Sequence, residues 1–219
     1  MQEYLRPTYF IDSDHPAVIG HAKRLTAGAD GPVQAAVRLF YAVRDGIRYN
    51  PYGMSAQKED FQAHRVLERG EAFCVPKAIL LCALARALGV PAALGFADVR
   101  NHLTSQRLTE VMGTDVFAFH GYTLLYLDGR WLKATPTFNK ELCEKAGILP
   151  LEFDGQSDAL FQPFDKEGRR HMEYLKDRGM VADFPYEAWL QAMLEAYPCM
   201  ASSLNQPPQG DFEAEVGQK

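Results

Sequence analysis

The stretch FCVPKAILLCALARALGVP, residues 73–91, predicts a helix that is apolar on most of its sides. Pro76 lies where the first turn would place it, and proline is tolerated there because its missing N–H would be unpaired anyway. Gly89 and Pro91 mark the end of the helix. A helix that leaves so little polar surface is buried, so we expect it to be the central helix of a domain.

Cys74 stands where the preceding loop enters this helix. The unpaired N–H groups and positive dipole end of a helix N-terminus stabilise a thiolate, and the same N–H groups can donate to an oxyanion. Cys74 is therefore a candidate nucleophile, the alternative being a small buried hydrophobic residue. The other cysteines lack this context, and we expect core packing for Cys82, Cys143 and Cys199.

The pattern changes from helices to strands after the cysteine helix. Asp128-Gly129 predicts a two-residue hairpin turn within residues 116–138, the strongest β signal in the chain. Helices before a β-meander, with helices again after it, predict an α+β fold with an antiparallel sheet. The remaining segments are predicted as helices over 17–28, 30–46, 58–70, 168–179 and 186–197, a helical turn over 139–147, strands over 92–99 and within 151–165, and a polar irregular segment over 100–115.

His120 begins the first strand of the hairpin. A thiol nucleophile needs a neighbouring base that accepts its proton and later returns it, and histidine is suited to this near neutral pH. His120 is thus the candidate base, with a structural histidine as the alternative reading. His102, on the polar segment that leads toward the hairpin, is the rival candidate.

Strand register suggests a third site residue. Counting back from the hairpin turn places Thr135 opposite Tyr122 and Thr137 opposite His120, with all four side chains on one face of the sheet. Either threonine hydroxyl could then reach the imidazole. A hydroxyl can fix a tautomer, although it stabilises an imidazolium less than a carboxylate does.

These segments together resemble the transglutaminase-like superfamily. GEAFCVPKAILLCALARALGVP, at 70–91, is similar to its nucleophile segment, in which a Gly-x-Cys precedes an apolar helix and an Arg-Ala-x-Gly-[Ile/Val]-Pro motif. HGYTLLYLDGRW, at 120–131, is similar to its histidine strand, and ATPT, at 134–137, stands where the family has V-D-P-T. VRDGIRYNPY, at 43–52, also fits, so the resemblance covers roughly residues 30–140.

The resemblance implies a papain-like transglutaminase core, in which the buried helix that carries the cysteine packs on an antiparallel β-sheet. It implies Cys74 as nucleophile and His120 as base. The family's third residue is aspartate, and Thr135 stands in its place. Thr135 is the expected orienting residue, with Asn139 and Asp98 as alternatives. The loss of a triad carboxylate typically reduces the rate by orders of magnitude while residual catalysis survives.

The expected function is that of a cysteine-dependent amide hydrolase, a peptidase or amidase, or of an acyl transferase that acts through a thioester acyl-enzyme. The expected partner is a peptide or protein amide substrate. Hydrolysis is favoured over crosslinking, because the chain shows no added substrate domain and no calcium loop. One alternative is a weak or inactive domain that binds a peptide or a partner protein. Another is a redox protein that uses Cys74 as a reactive thiol.

Composition sets the remaining expectations. The 219 residues carry a net charge of −5 and are 47% hydrophobic, which is ordinary for one globular domain and gives no basic footprint for nucleic acid. We expect a single domain over 1–200 with its core at 30–140, and a disordered polar tail over 201–219. No apolar run reaches the length of a membrane span, and the N-terminus does not read as a signal peptide. The cysteine spacing matches no zinc pattern, so we expect no metal, no organic cofactor and a cytoplasmic location.

Overall fold

The structure is a computed structural model that describes residues 1–102, 104–198 and 210–216. The α-helices are α1 Pro16–Leu25, α2 Gly31–Gly46, α3 Ala63–Arg69, α4 Cys74–Ala87, α5 Gln106–Met112, α6 Lys140–Ala146, α7 Tyr186–Ala196 and α8 Phe212–Glu215. The strands are β1 Arg48–Tyr49, β2 Glu71–Ala72, β3 Ala92–Asn101, β4 Val116–Leu127, β5 Arg130–Ala134 and β6 Met172–Val181. No helix in these described parts of the chain has the length and apolar character needed to cross a bilayer.

Four strands form an antiparallel sheet in the order β5-β4-β3-β6, while β1 and β2 form a separate parallel pair. Helix α4 packs against β4 on one face of the large sheet, and α1, α2 and α3 surround its other sides. Every residue from Cys74 to Arg86 is buried. The prediction of an α+β fold, with a buried cysteine helix packed on an antiparallel sheet, is confirmed.

Helix α4 carries two buried basic side chains, Lys77 and Arg86. Lys77 is fully buried, and its Nζ donates to the carbonyl oxygens of Arg44 at 2.9 Å and Ile47 at 2.5 Å, at the C-terminal end of α2. Burial lowers the pKa of the Lys77 amine to about 7. The two carbonyl bonds compensate for the loss of water, because a buried amine without such partners would be strongly destabilising.

The hairpin forms as the sequence predicts over most of its length. Asp128 and Gly129 have positive φ, which fits a two-residue primed turn. The pairing runs from Leu127–Arg130 to Thr123–Ala134, where β5 ends. These pairs have the predicted register, and the ladder ends one pair before Tyr122–Thr135, so the predicted pairs of Tyr122 with Thr135 and of His120 with Thr137 lie beyond it and stay a prediction. The Thr135 N–H points away from β4 and donates to the Ala159 carbonyl at 3.1 Å, because residues 151–165 run along this edge of the sheet.

Residues 151–165 form isolated bridges at Ala159 and Phe164 rather than the predicted strands. Two further segments differ from their predicted structure. Residues 172–181 form edge strand β6 rather than a helix, because the open edge of β3 offers backbone partners over its whole length. Residues 106–112 form α5 inside a segment predicted to be irregular; Ser105 Oγ caps it by accepting from the Leu108 N–H at 3.1 Å, and left-handed Gly113 ends it. Both errors arose where tertiary contacts or capping outweighed the local pattern.

The predicted disordered tail is ordered at residues 210–216, where Phe212 is buried between the rings of Tyr49 and Tyr52. The tail is predicted to be disordered because it is mostly polar, but the single apolar side chain of Phe212 is enough to anchor this part of it. The rest of that tail, at 201–209 and 217–219, lies outside the described residues, as does Cys199.

Candidate active site

Cys74 is the first residue of α4, and its side chain is buried at the end of the helix that faces β4. The backbone N–H groups of Gly121, Val75 and Cys74 itself lie around the sulfur and favour its thiolate. Burial has the larger effect and raises the pKa of the Cys74 thiol to about 11. The thiolate expected from the helix N-terminus is therefore not the form favoured in this closed arrangement, because desolvation exceeds the stabilisation by the N–H groups.

Gly121 lets β4 approach the first turn of α4. A Cβ atom at this position would lie 3.0 Å from Val75 Cα, a backbone atom that cannot move aside cheaply. Glycine therefore brings the sulfur of Cys74 up to the strand backbone itself. The next residue toward the start of the strand is His120, so Cys74 lies against the strand backbone one residue from His120.

His120 projects from the face of the sheet opposite to α4. Gly121 and Thr123 face α4, and the Thr123 hydroxyl donates to the Ala78 carbonyl at 2.9 Å. By strand alternation His120 points to the other face, where its ring lies 5.3 Å from the ring of Phe161. Burial lowers the pKa of the imidazole to about 4. Nε2 is buried and has no hydrogen-bond partner within the described part of the chain.

A β-bulge immediately before His120 sets the course of the strand. Ala118 and Phe119 together oppose Asp98, and Phe119 adopts a φ of 54°. The Asp98 carboxylate holds this conformation by accepting from the Phe119 N–H at 3.0 Å. It also accepts two bonds from Arg178, at 2.6 and 2.9 Å. Asp98, one candidate for the third site residue, therefore supports the bulge rather than the imidazole.

The contact between Arg178 and Asp98 cannot be read from the sequence, because Arg178 lies in a predicted helix, 80 residues from Asp98. The bulge follows from the pairing of β3 with β4, in which one residue of β3 faces two residues of β4. The sequence alone does not show this mismatch, because it can be counted only when the pairing is known. Arg178 also lies over the Phe119 ring, with Cζ 4.2 Å from the centroid. The bulge is thereby fixed from both sides.

The other candidates for the third residue are buried near this strand. Asn139 is engaged elsewhere, since its Oδ1 accepts from the Tyr49 N–H at 3.2 Å. The hydroxyls of Thr135 and Thr137 have no partner among the described residues. Burial raises the pKa of the nearby Tyr174 phenol to about 12, and the proximity of the Thr135 hydroxyl partly offsets this rise. The Thr135 hydroxyl and the Tyr174 phenol nevertheless form no hydrogen bond of regular geometry. Thr135 makes no hydrogen bond to His120 here, so its orienting role stays a prediction.

A narrow cleft lies over Cys74 on the α4 side of the sheet. Its described lining includes no charged side chain. The space open to the centre of a water molecule is about 30 Å³, enough for one or two waters. A substrate group can reach the sulfur only if the walls of the cleft move. The walls are formed by Tyr49 and Pro51 after α2, Phe73 beside the cysteine, Leu108 and Met112 of α5, Phe117 of β4, and Trp189 and Met193 of α7.

The remaining cysteines and the rival histidine lie apart from this cleft. Cys82 and Cys143 are buried free thiols, and burial raises the pKa of each to about 12. His102 contacts Glu173 at 3.2 Å at the far end of β3. No group of three metal-ligating side chains occurs among the described residues.

Comparison with known proteins adds a family model and three solved structures. The model, for the transglutaminase-like superfamily, matches residues 19–136, more than half of the chain. A candidate cysteine protease from Cytophaga hutchinsonii is 15% identical, with a TM-score of 0.48 and coverage of 81% of this chain and 53% of that one. A candidate protease from Parabacteroides distasonis is 13% identical, with a TM-score of 0.38 and coverage of 57% and 25%.

A transglutaminase from red sea bream is also 13% identical, with a TM-score of 0.41 and coverage of 87% of this chain and 40% of that one. The chain thus spans about half or less of the length of these three structures. A search of curated proteins found no significant match.

Proposed function

The chain belongs to the transglutaminase-like superfamily, and on this premise we propose that it is a cysteine-dependent amide hydrolase or acyl transferase that works through a thioester on Cys74. The observation that supports this most is the place of Cys74. It opens a buried helix, its sulfur lies among backbone N–H groups, and it meets β4 next to the residue that bears the imidazole. Those are the parts that acyl transfer to a thiol requires.

In the proposed reaction Cys74 Sγ attacks the carbonyl carbon of an amide while His120 takes the thiol proton. The N–H groups of Cys74 and Val75 donate to the oxyanion that forms. Collapse of this adduct breaks the C–N bond, and His120 returns the proton to the leaving amine. The acyl group stays on sulfur as a thioester until water, or an amine in the transferase case, releases it and restores the thiol.

The closed cleft places a condition on this proposal. Burial holds the thiol proton on Cys74 and keeps His120 neutral, so proton transfer between them is unfavourable in this arrangement. Opening of the cleft admits water, which lowers the pKa of the thiol, whereas His120 lies on the other face of the sheet and outside the cleft lining. The proposed proton transfer therefore requires, besides the wall movement that admits the substrate, a change in β4 that turns the His120 ring toward Cys74.

The cleft also indicates what the substrate presents to Cys74. An apolar lining without charged groups favours an uncharged, apolar acyl or side-chain group, because a charge placed there would lose its water without gaining a partner. A peptide or protein amide next to an apolar residue is the proposed substrate. The free buried thiols of Cys74, Cys82 and Cys143 fit a reducing compartment, so the cytoplasm is the proposed setting.

A second candidate function is peptide or protein binding without catalysis. Two observations favour it: Thr135 stands where the family has aspartate, and no hydrogen bond joins Cys74 to His120. The two candidates differ in one measurable property, the dependence of Cys74 reactivity on His120.

That property is tested by iodoacetamide alkylation across pH, with each cysteine followed by mass spectrometry. If the proposal is right, Cys74 reacts faster than Cys82 and Cys143, and His120→Ala slows it at least tenfold near neutral pH. His171→Ala is the matched control, since His171 is equally buried and burial also lowers its pKa to about 4. Equal loss in both variants, or a Cys74 as slow as the other cysteines, would leave only the binding function.

Chemistry is then tested with p-nitrophenyl esters of straight-chain acids of two to ten carbons. The proposal expects a burst of nitrophenol and a mass increase on Cys74 that corresponds to the acyl group, with longer chains reacting faster. Added methylamine that accelerates release and appears as an N-methyl amide identifies a transferase, whereas release that is unaffected by the amine identifies a hydrolase.

A further inference from the structure

Residues 210–216, here called the C-terminal segment, lie in a groove beside Tyr49 and Tyr52, where Phe212 joins the edge of the hydrophobic core. Phe212 is its apolar anchor, with its ring 5.6 Å from that of Tyr49 and 6.4 Å from that of Tyr52. Gly210 crosses the Tyr52 ring so closely that a Cβ atom would lie 2.7 Å from it. The segment is therefore fitted to two aromatic side chains, one at the end of β1 and one in the turn that follows it.

Each acidic side chain of the C-terminal segment meets a cation of the groove. The cations come from three distant parts of the chain: the start of β1, helix α5 and helix α6. Glu215 also accepts from the Tyr52 hydroxyl at 2.6 Å and from Ser105 Oγ at 3.2 Å. The three ion pairs are Asp211–Arg48 at 3.3 Å, Glu213–Lys145 at 2.5 Å and Glu215–Arg107 at 3.0 Å.

These contacts describe a recognition surface. Three separated cations that match three acids in spacing select a charge pattern, and the aromatic cradle selects one ring between them. Exposed ion pairs and one buried ring hold a segment loosely, because each ion pair is screened by water and salt. Another peptide of the same character can therefore displace the segment.

The groove adjoins the cleft over Cys74. Tyr49 belongs to both, since it touches Phe212 and also lines the cleft. Helix α5 belongs to both as well: Arg107 binds Glu215, while Leu108 and Met112 line the cleft. A peptide in the groove thus contacts the two elements that wall the sulfur.

We propose that this groove is a docking site for acidic peptide segments that carry one aromatic residue, and that the C-terminal segment occupies it in cis. An incoming segment of this kind replaces residues 211–215, and its neighbouring residues then lie beside the cleft. Delivery of those neighbours to Cys74 rests on the proposed function. The docking itself does not, so it can be measured without any turnover.

The test is fluorescence anisotropy with a labelled peptide of sequence QGDFEAEVG, residues 209–217, added to the full-length protein. Phe212→Ala removes the cis anchor, so this variant should bind the peptide at least tenfold more tightly than the wild type does. A second release variant, Glu213→Gln with Glu215→Gln, removes only charge and should also bind more tightly. Circular dichroism will show whether the Phe212→Ala protein folds. If it does not, the double glutamine variant still tests the proposal.

Selectivity is tested with two altered peptides and two further variants. Replacing the three acids by their amides, or the phenylalanine by alanine, should weaken binding to the Phe212→Ala protein at least tenfold. Lys145→Gln in the same background should weaken binding as well. Phe164→Ala is the matched control, because Phe164 is exposed away from the groove, and it should bind as the wild type does. Equal affinity of wild type and both release variants, or equal affinity for the uncharged peptide, would overturn the proposal.

Discussion

Buried polar side chains on the two faces of the sheet differ in whether they have hydrogen-bond partners. On the α4 face, Lys77, Arg86 and Thr123 all donate to backbone carbonyls. On the opposite face, His120 Nε2 and the hydroxyls of Thr135 and Thr137 have no partner among the described residues. Native proteins pair nearly all of their buried polar groups, so three unpaired groups close to one strand are unusual.

This difference separates what holds the fold from what serves the proposed site. The α4 face carries bonds whose loss would leave carbonyls unsatisfied, so its residues stabilise the fold. The opposite face carries groups that weaken the fold as they stand, and such groups are typical of sites where a substrate or a second conformation supplies the missing partner. Substitutions on the two faces should therefore change stability in opposite directions.

Arg86 should give the largest effect. Its guanidinium donates to the carbonyls of Ala92 at 2.8 and 3.0 Å, Arg6 at 2.7 Å and Ala182 at 2.5 Å. Arg86→Met leaves these three oxygens without their donor, so urea denaturation should show a loss of about 3–5 kcal/mol in the free energy of unfolding. Since domains of this kind are stable by about 5–15 kcal/mol, the loss should be plain in the midpoint.

Arg38→Met is the control for that prediction. Arg38 also donates to a carbonyl, that of Ala27 at 2.7 Å, but it does so in water. Its replacement should change the free energy of unfolding by less than about 0.5 kcal/mol. Similar losses for both arginines would show that burial of the donor does not decide the contribution.

The sequence predicted the parts of this molecule that depend on neighbouring residues. Helix α4 follows from its apolar run and its Pro76 and Gly89 boundaries, and the hairpin follows from Asp128-Gly129. Strand β6 was missed because its ten residues become a strand only by pairing with β3, and several of their side chains are exposed, so no alternating pattern marks them.

The candidate site was predictable to the same extent. Cys74 and His120 could be located from their place in a helix start and a strand start, and the structure brings both to β4. Their protonation could not be predicted, since desolvation depends on every element that covers them. The partners of Asp98 were hidden for the same reason, because Arg178 reaches it only across the β3–β6 ladder.

His120 should give the next largest effect, and one that appears only in acid. Its pKa is lowered to about 4 by burial, against 6.5 when exposed, so the unfolded chain binds the proton more readily. The stability contributed by a neutral His120 is complete above pH 6.5 and is lost as the pH falls through 4. This loss amounts to about 3 kcal/mol for a shift of that size.

His120→Leu should therefore flatten the fall in the free energy of unfolding between pH 6.5 and 4, measured by urea titration at each pH. His171→Leu should flatten it as well, because burial lowers the pKa of His171 to the same value. Only His120→Leu should also slow the alkylation of Cys74. If both variants slow the alkylation of Cys74, the difference between the two faces still explains stability, but His120 has no special role in the reactivity of Cys74.

The smallest effects should come from a pair of matched threonines. Thr123→Val removes the bond to the Ala78 carbonyl and should lower the free energy of unfolding by about 1 kcal/mol. Thr137→Val removes a buried hydroxyl that has no partner, at nearly constant shape, and should raise it by about 1 kcal/mol. Both are fully buried and change the same atoms, so their opposite signs isolate the hydrogen bond. If both variants lower the free energy of unfolding, Thr137 has a hydrogen-bond partner in solution. The His120 imidazole would then be the first candidate, and its NMR titration in the two variants would test it.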